Sequence, residues 1–245
     1  MSEKDPGEYG KHIADEYDQI YNHAFDTDGA VEYLAALAEG GPVLELGIGT
    51  GRLALPLSQK GLAVHGVDGS EQMLKLLAEK PGGECIPTTL GDFSEVRVAP
   101  KHFSLVVLAI NTIFALESQD AKVRCFKTAA YHLRANGRFV IEAWMPTNLP
   151  IGTSLQPRKL SPGFIGLVAA EHDPATQTLA TTQIVLGGET GVRVFPVIHH
   201  YAWPMELDLM ARLAGMRLEE RWANWHRAPF GPTSTNHISI YRVKT

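Results

Sequence analysis

The stretch VLELGIGTGRLALPLSQKGLAVHGVDGSEQML, Val43 to Leu74, decides the fold. Val43-Leu44-Glu45-Leu46 is a strand-like apolar run that breaks into Gly47, Gly49 and Gly51 at alternate positions. Residues 51–60 then read as a helix, and a second apolar run over 62–68 ends in Asp68. Glycines between a strand and a helix let the backbone approach a ligand closely while the helix N-terminus aims N–H groups at it. Asp68 stands 21 residues past Gly47 at the end of the next strand, where a carboxylate can accept from both hydroxyls of a ribose.

Several ligands carry a ribose, and the loop discriminates among them. A dinucleotide fingerprint needs a third glycine at position 52, which is arginine and disrupts the close helix–strand packing that glycine provides. A triphosphate loop needs a Gly-Lys-Ser/Thr ending, and Gly51-Arg52-Leu53 has neither lysine nor hydroxyl. Glu45, two residues before the first glycine, would repel a pyrophosphate and favour a cation. S-adenosylmethionine meets these conditions: ribose, adenine, ammonium and sulfonium, without phosphate. The alternative for Glu45 is a pairing with Arg52 or a backbone group at the strand end.

Outward from this core, Ile13, Tyr17, Ile20, Tyr21 and Ala24 recur at helical spacing, and Ala30, Leu34, Leu37 and Ala38 repeat the pattern after Asp26-Thr27-Asp28. Past Asp68, the sequence predicts helix 70–79 capped by Ser70, strands 85–90 and 103–110, helix 118–135 closed by Asn136-Gly137, and strand 138–144. Such alternation means a mostly parallel sheet covered on both faces. After Trp144, residues 145–163 carry four of the fifteen prolines and read as a loop. Three β-rich runs follow near 164–172, 178–186 and 192–203, separated by turn signals of an antiparallel meander. Pro204 opens a short amphipathic helix that Gly215 stops, and residues 217–225 and 237–243 form a closing hairpin.

With 245 residues, 44% hydrophobic and 20% charged, the chain suits one α/β domain with an insertion. A net charge of -5 gives no reason to expect nucleic acid. The polar, acidic start and the lack of a bilayer-length apolar run predict a cytoplasmic protein without membrane contact. The two cysteines, Cys85 and Cys125, read as buried reduced thiols, and no metal motif is present.

Glu45-Leu-Gly-Ile-Gly-Thr-Gly51 resembles the first motif of class I S-adenosylmethionine-dependent methyltransferases, written E/D-x-G-x-G-x-G. The likeness continues through Gly66-Val-Asp68-Gly-Ser70-x-x-Met73, Leu90-Gly-Asp92-Phe93, Phe103-Ser-Leu-Val-Val and Leu133-Arg-Ala-Asn-Gly137, covering residues 40 to 145 in order. The resemblance implies a doubly wound, seven-stranded sheet of order 3-2-1-4-5-7-6, its seventh strand antiparallel. It implies that Gly47, Gly49 and Gly51, with Glu45 and Arg52, hold the methionine part of the cofactor. Asp68 would take the ribose with Gly69 and Met73 beside the adenosine, Asp92 the adenine amino group with Phe93 on the ring, and Ala109, Ile110 and Asn111 the edge of the reaction pocket.

Residues 13–21 also resemble the lid helix of the small-molecule branch, including glycine and amino-sugar N-methyltransferases, where a tyrosine closes over the cofactor. This implies a lid over 1–40 containing Tyr17, and a β-rich substrate cap over 146–203, within one domain spanning 1–245. The acceptor is then a small molecule, with nitrogen slightly favoured over oxygen, and the protein a monomer or homodimer.

His199-His200-Tyr201-x-Trp203 is the densest polar–aromatic cluster near the cap. Strand alternation puts His199 with Tyr201 on one face and His200 on the other, so at most one histidine takes part directly. His199, His200 and Tyr21 are the catalytic candidates, with His23 a further histidine beside the lid. Tyr9, Tyr17, Tyr21, Phe114, Trp144, Trp203 and Trp225 could box the acceptor, since ring faces attract partly cationic groups, and of these Tyr9, Phe114, Trp144 and Trp203 are the candidates for binding it. His102, His132 and His172 read as surface residues.

Overall fold

The computed structural model describes residues 25–161, 164–187 and 191–243. Tyr9, Tyr17, Tyr21, His23 and the rest of the segment expected to form the first lid helix lie outside the described residues. Chain order runs α1 (Thr27–Ala38), β1 (Val43–Leu46), α2 (Ala54–Gln59), β2 (Val64–Asp68), α3 (Glu71–Ala78), β3 (Thr88–Leu90), β4 (Phe103–Leu108), α4 (Gln119–His132) and β5 (Leu133–Trp144). There follow β6 (Gly152–Ser161), β7 (Phe164–Asp173), β8 (Thr178–Gly187), β9 (Val192–His200), α5 (Pro204–Leu213), β10 (Met216–Trp222) and β11 (Asn236–Val243).

Helix starts follow local chemistry. The Asp26 carboxylate accepts from Gly29 N, the Ser70 hydroxyl from Met73 N and the Ser118 hydroxyl from Ala121 N, each satisfying an N–H that the helix cannot. β1 and β4 are buried along their whole length, as central parallel strands must be. Leu34, Leu57 and Leu77 pack one face of the sheet; Phe126, Phe139 and Tyr241 pack the other. Helix α1 is tied into this core through Ala30, Val31, Leu34 and Ala38.

The main sheet runs β3-β2-β1-β4-β5-β11-β10, with β11 antiparallel to both β5 and β10. These numbers depart from 3-2-1-4-5-7-6 because four strands of a second sheet intervene along the chain. That second sheet is a fully antiparallel meander, β6-β7-β8-β9.

Several expectations need correction. Residues 152–161 form β6 rather than loop. Pro157 is compatible with pairing because β6 is an edge strand and Pro157 stands at a bulge. Asn136-Gly137 does not stop the helix; α4 ends at His132, and the two residues form an irregularity early in β5, Asn136 at φ 61°. Cys85 is exposed, since it ends a short 3-10 turn at Gly83–Cys85 ahead of β3; Cys125 is buried.

His132 and His172 are buried, not superficial. His132 Nε2 accepts from Val98 N at 3.0 Å, and burial pushes its pKa down to about 4, so it serves as a neutral acceptor. His172 Nδ1 meets the Pro150 carbonyl at 3.2 Å and its Nε2 the Tyr201 hydroxyl at 3.1 Å. Among the described residues, no helix is long and apolar enough to cross a membrane.

Candidate cofactor and acceptor site

The C-terminal ends of β1, β2, β4 and β5 converge on one edge of the sheet. The turn after β1 holds Gly47, Gly49 and Gly51 at φ 70°, 54° and 84°, a conformation that side chains resist. A Cβ on Gly47 would stand 2.6 Å from Thr112 Cγ2, so this glycine lets the turn close against the loop after β4. A Cβ on Gly49 would meet nothing within 4 Å; its backbone faces open space.

A cavity of about 30 Å³ opens at this turn, lined by Glu45, the glycine turn, Arg52, Ala109, Ile110 and Thr112. It suits a water-sized group such as an ammonium, not a ring. A carboxyl and a guanidinium border it with unmet hydrogen-bonding capacity: Glu45 Oε2 and Arg52 Nη2 are buried without a hydrogen-bond partner. Burial pushes the Glu45 pKa up to about 8, against the pull of Arg52 and with a further push from Asp68. Arg52 makes its contacts elsewhere. Its Nη1 donates to Thr27 Oγ1 at 3.0 Å, and Nη2 lies 3.8 Å from Glu142 Oε2.

Asp68 joins two turns. Its Oδ2 accepts from Gly49 N at 2.8 Å and its Oδ1 from Ser70 N at 2.9 Å. Burial raises its pKa while those N–H groups oppose the rise. Gly69 N–H bonds the carboxylate as well, and a carboxylate's four lone-pair sites leave room for a further donor. Gly69 follows, and Met73 lies on the buried side of α3. Asp92 Oδ1 accepts from Ser94 N at 2.7 Å, capping its own turn, and Phe93 packs partly buried against the core.

After β4, Ile110 and Asn111 occupy consecutive left-handed positions, φ 46° and 60°. Such strain persists only where surroundings enforce it. Here Glu142 does so: its Oε2 accepts from Ile110 N at 3.1 Å and its carbonyl from Asn111 N at 3.0 Å. Asn111 Oδ1 returns to accept from Trp144 N at 2.7 Å, and Trp225 Nε1 donates to Glu142 Oε1 at 2.8 Å. Glu142 did not stand out from the sequence as part of the site, and Trp225, a candidate for an aromatic box, is instead buried with its indole N–H on Glu142. The available signal was a lone carboxylate inside the apolar run Phe139-Val-Ile-Glu-Ala-Trp144, the counterpart of Glu45 in Val43-Leu-Glu-Leu46.

On the acceptor side, Trp144 meets His199 at 6.0 Å and Tyr201 at 5.9 Å between ring centroids, and His172 meets Tyr201 at 5.7 Å. Burial, then the neighbouring His200, pushes the His199 pKa down to about 4, leaving a neutral imidazole. His200 is on the opposite sheet face, 3.4 Å from Thr178 Oγ1. Phe114 is fully buried, its ring 5.0 Å from Trp144, so it buttresses that ring and is not itself a surface an acceptor reaches. Trp203 is exposed at the N-cap of α5, apart from the ring cluster.

Residues 43–137 match the model of a methyltransferase domain. The CcbJ methyltransferase from Streptomyces caelestis superposes over 99% of this chain and 100% of its own, with a TM-score of 0.91 and 38% identity. The cypemycin N-terminal methyltransferase of a Streptomyces species is 26% identical over 87% of this chain and 89% of its own length. In fold alone, the amino pentose methyltransferase CalS10 from Micromonospora echinaspora, solved with S-adenosylmethionine bound, is similar at a TM-score of 0.70 and 16% identity over 93% of this chain and 96% of its own. The chain belongs to the class I S-adenosylmethionine-dependent methyltransferases.

Proposed function

We propose that the protein methylates an amine nitrogen of a small acceptor, a natural-product intermediate, and that the second sheet forms the cap over that acceptor. The residues present fit the cofactor. Glu45 Oε2 and Arg52 Nη2, buried and without hydrogen-bond partners, border one cavity and, once Glu45 is ionised, suit the ammonium and carboxylate of a methionyl group. Asp68 keeps acceptor capacity for ribose hydroxyls at the neighbouring turn. When bound, the cofactor supplies a methyl group on a sulfonium, open to in-line displacement.

The chain's own residues then hold and dry the acceptor. The observation that carries the choice of nitrogen is the neutral His199 imidazole set against Trp144 and Tyr201. An amine attacks in its uncharged form and becomes cationic; ring faces stabilise that charge, the neutral imidazole can accept a hydrogen bond from the amine N–H and orient its lone pair, and the proton leaves to solvent. The names of the cypemycin N-terminal and amino pentose methyltransferases support the same reading.

The test is incubation with S-adenosylmethionine and a panel of amino sugars, peptides with free N-termini and hydroxylated analogues, read by mass spectrometry. S-adenosylhomocysteine with an N-methylated product is expected. Methylthioadenosine as the spent cofactor, or methylation of hydroxyls alone, overturns the proposal. His199→Gln should lower kcat by up to about 100-fold while cofactor affinity, measured by calorimetry, stays unchanged.

Glu45 gives a pH signature. Its folded pKa, about 8, lies above the ordinary 4.5, so the folded chain retains a proton that the unfolded chain releases. Its contribution to stability therefore declines as pH rises from 4.5 through 8. Binding of an ammonium needs the ionised form and runs the other way. S-adenosylmethionine affinity should rise with pH up to about 8, by as much as tenfold per unit, and Glu45→Gln should flatten the profile.

A further inference from the structure

We propose that His172 is a positioning residue that acts through the Tyr201 hydroxyl to hold the Trp144 ring at the acceptor site. The proposal rests on the reading of Trp144 and His199 as the wall that an acceptor meets. Three stretches of chain come together at one imidazole. Pro150 belongs to the link that leaves β5 for the second sheet, His172 to β7, and Tyr201 follows β9, where the chain leaves that sheet again. His172 Nδ1 meets the Pro150 carbonyl at 3.2 Å, and Nε2 meets the Tyr201 hydroxyl at 3.1 Å.

Chemistry fixes the direction of both bonds. A proline carbonyl can only accept, so Nδ1 carries a proton; in the neutral ring Nε2 then offers a lone pair, and the Tyr201 O–H donates to it. The far end of the tyrosine is thereby fixed. Its near end is fixed by the backbone, Tyr201 N donating to the Gln177 carbonyl at 2.9 Å. A tyrosine held at both ends keeps its ring in one place, 5.9 Å from that of Trp144 between centroids. His199, 6.0 Å from Trp144, shares an inner-face row with His172, with Leu179 between them. Trp144 is where these contacts converge.

Stability alone does not account for a polar trio at this place. His172 is 7% exposed and Tyr201 5%. A satisfied hydrogen bond contributes only about 0.5–1.5 kcal/mol net, which apolar side chains of like shape would match. What the hydrogen bonds add is direction, because an apolar contact slides whereas donor and acceptor must meet within a narrow range of distance and angle. Direction is also what methyl transfer demands of its acceptor site. Displacement is in line, and a misplacement of about 1 Å can cost about 100-fold in rate.

Tyr201→Phe keeps the ring and removes the hydroxyl; His172→Leu removes the imidazole with both its bonds. With whichever acceptor the mass-spectrometric panel shows to be methylated, each should lower kcat/KM for that acceptor by about tenfold to 100-fold, while S-adenosylmethionine affinity by calorimetry stays unchanged. The double variant should lose no more than either single one, since the two side chains act as a unit. His172→Gln, whose amide oxygen can accept from Tyr201, should recover most of the loss. Nuclear magnetic resonance of protein labelled at the histidine and tryptophan nitrogens gives a reading that needs no acceptor. Nδ1 of His172 should be the protonated nitrogen, and the Trp144 indole signal, identified by its absence in Trp144→Phe, should be displaced in Tyr201→Phe and His172→Leu. If the panel yields no methylated amine, the choice of nitrogen fails, and the spectra still decide the role of His172. Should His172→Leu fail to fold, Tyr201→Phe and His172→Gln carry the test. Losses that add in the double variant, an unchanged kcat/KM with only the thermal midpoint lowered, no recovery in His172→Gln, a proton on Nε2 instead, or an undisplaced Trp144 signal overturns the proposal.

Discussion

Asp68→Ala should weaken S-adenosylmethionine binding at least about 100-fold, because hydrogen bonds to a charged acceptor contribute about 1.5–3 kcal/mol each and two are lost with the carboxylate. S-adenosylhomocysteine should lose as much, since the ribose is common to both. The substitution also releases Gly49 N and Ser70 N, which Asp68 binds at 2.8 and 2.9 Å. Part of the loss is therefore disorder of the glycine turn. Asp68→Asn separates the contributions: its amide oxygen retains one acceptor and its NH2 opposes the second, so an intermediate loss is expected. Calorimetry with both ligands decides; unchanged affinity in Asp68→Ala removes the ribose assignment.

Asp208→Ala should cost about 2 kcal/mol of folding stability, within the range of about 1.5–3 kcal/mol for a hydrogen bond to a charged group, the ion pair being partly buried. Asp208 Oδ1 accepts from Arg221 Nη2 at 2.6 Å and from the Tyr241 hydroxyl at 2.9 Å, while its Oδ2 accepts from Arg221 Nη1 at 3.3 Å. Tyr241 is fully buried and its pKa is raised by that burial, so its hydroxyl keeps a proton that must be donated. Removing the carboxylate leaves the phenol without its acceptor and the guanidinium without its counter-charge, held by Ser239 Oγ and the Pro204 carbonyl, where α5 packs on β10. A lowered urea midpoint with unchanged slope is expected, and Asp208→Leu with Arg221→Met should recover much of the loss, because the uncompensated charge disappears. Equal stability of Asp208→Ala and wild type would show the network to be energetically idle.

Trp225→Phe offers a finer probe of the strained turn at Ile110 and Asn111. It keeps the ring but removes the donor to Glu142 Oε1. A raised KM for S-adenosylmethionine of about tenfold is expected, equivalent to roughly 1.5 kcal/mol, the lower end for one hydrogen bond to a charged group, with the thermal midpoint little changed.

The alternation of strands and helices from Val43 to Trp144 was legible because it depends on spacing within a single element: apolar period, Ser70 as a cap, glycines that alone tolerate φ 54° to 84°. The same locality made Asp68 readable, since a strand of known length delivers its last residue to a known place. Errors arose where pairing partners decide. Residues 152–161 read as a loop for their prolines, yet an edge position beside β7 makes Pro157 acceptable. His172 reads as a turn histidine, yet Tyr201, distant in the chain, buries it.

By itself, then, the sequence determined the glycine turn, its neighbouring carboxylates and the βα rhythm that brings them to one sheet edge. Only the tertiary structure decided that Glu142 and Trp225 brace that edge, that His199 rather than His200 turns toward Trp144, and that His172 ties Pro150 to Tyr201. The reason is physical. Period and capping are properties of one segment, whereas burial, charge perturbation and side-chain facing are set by register between strands remote along the chain.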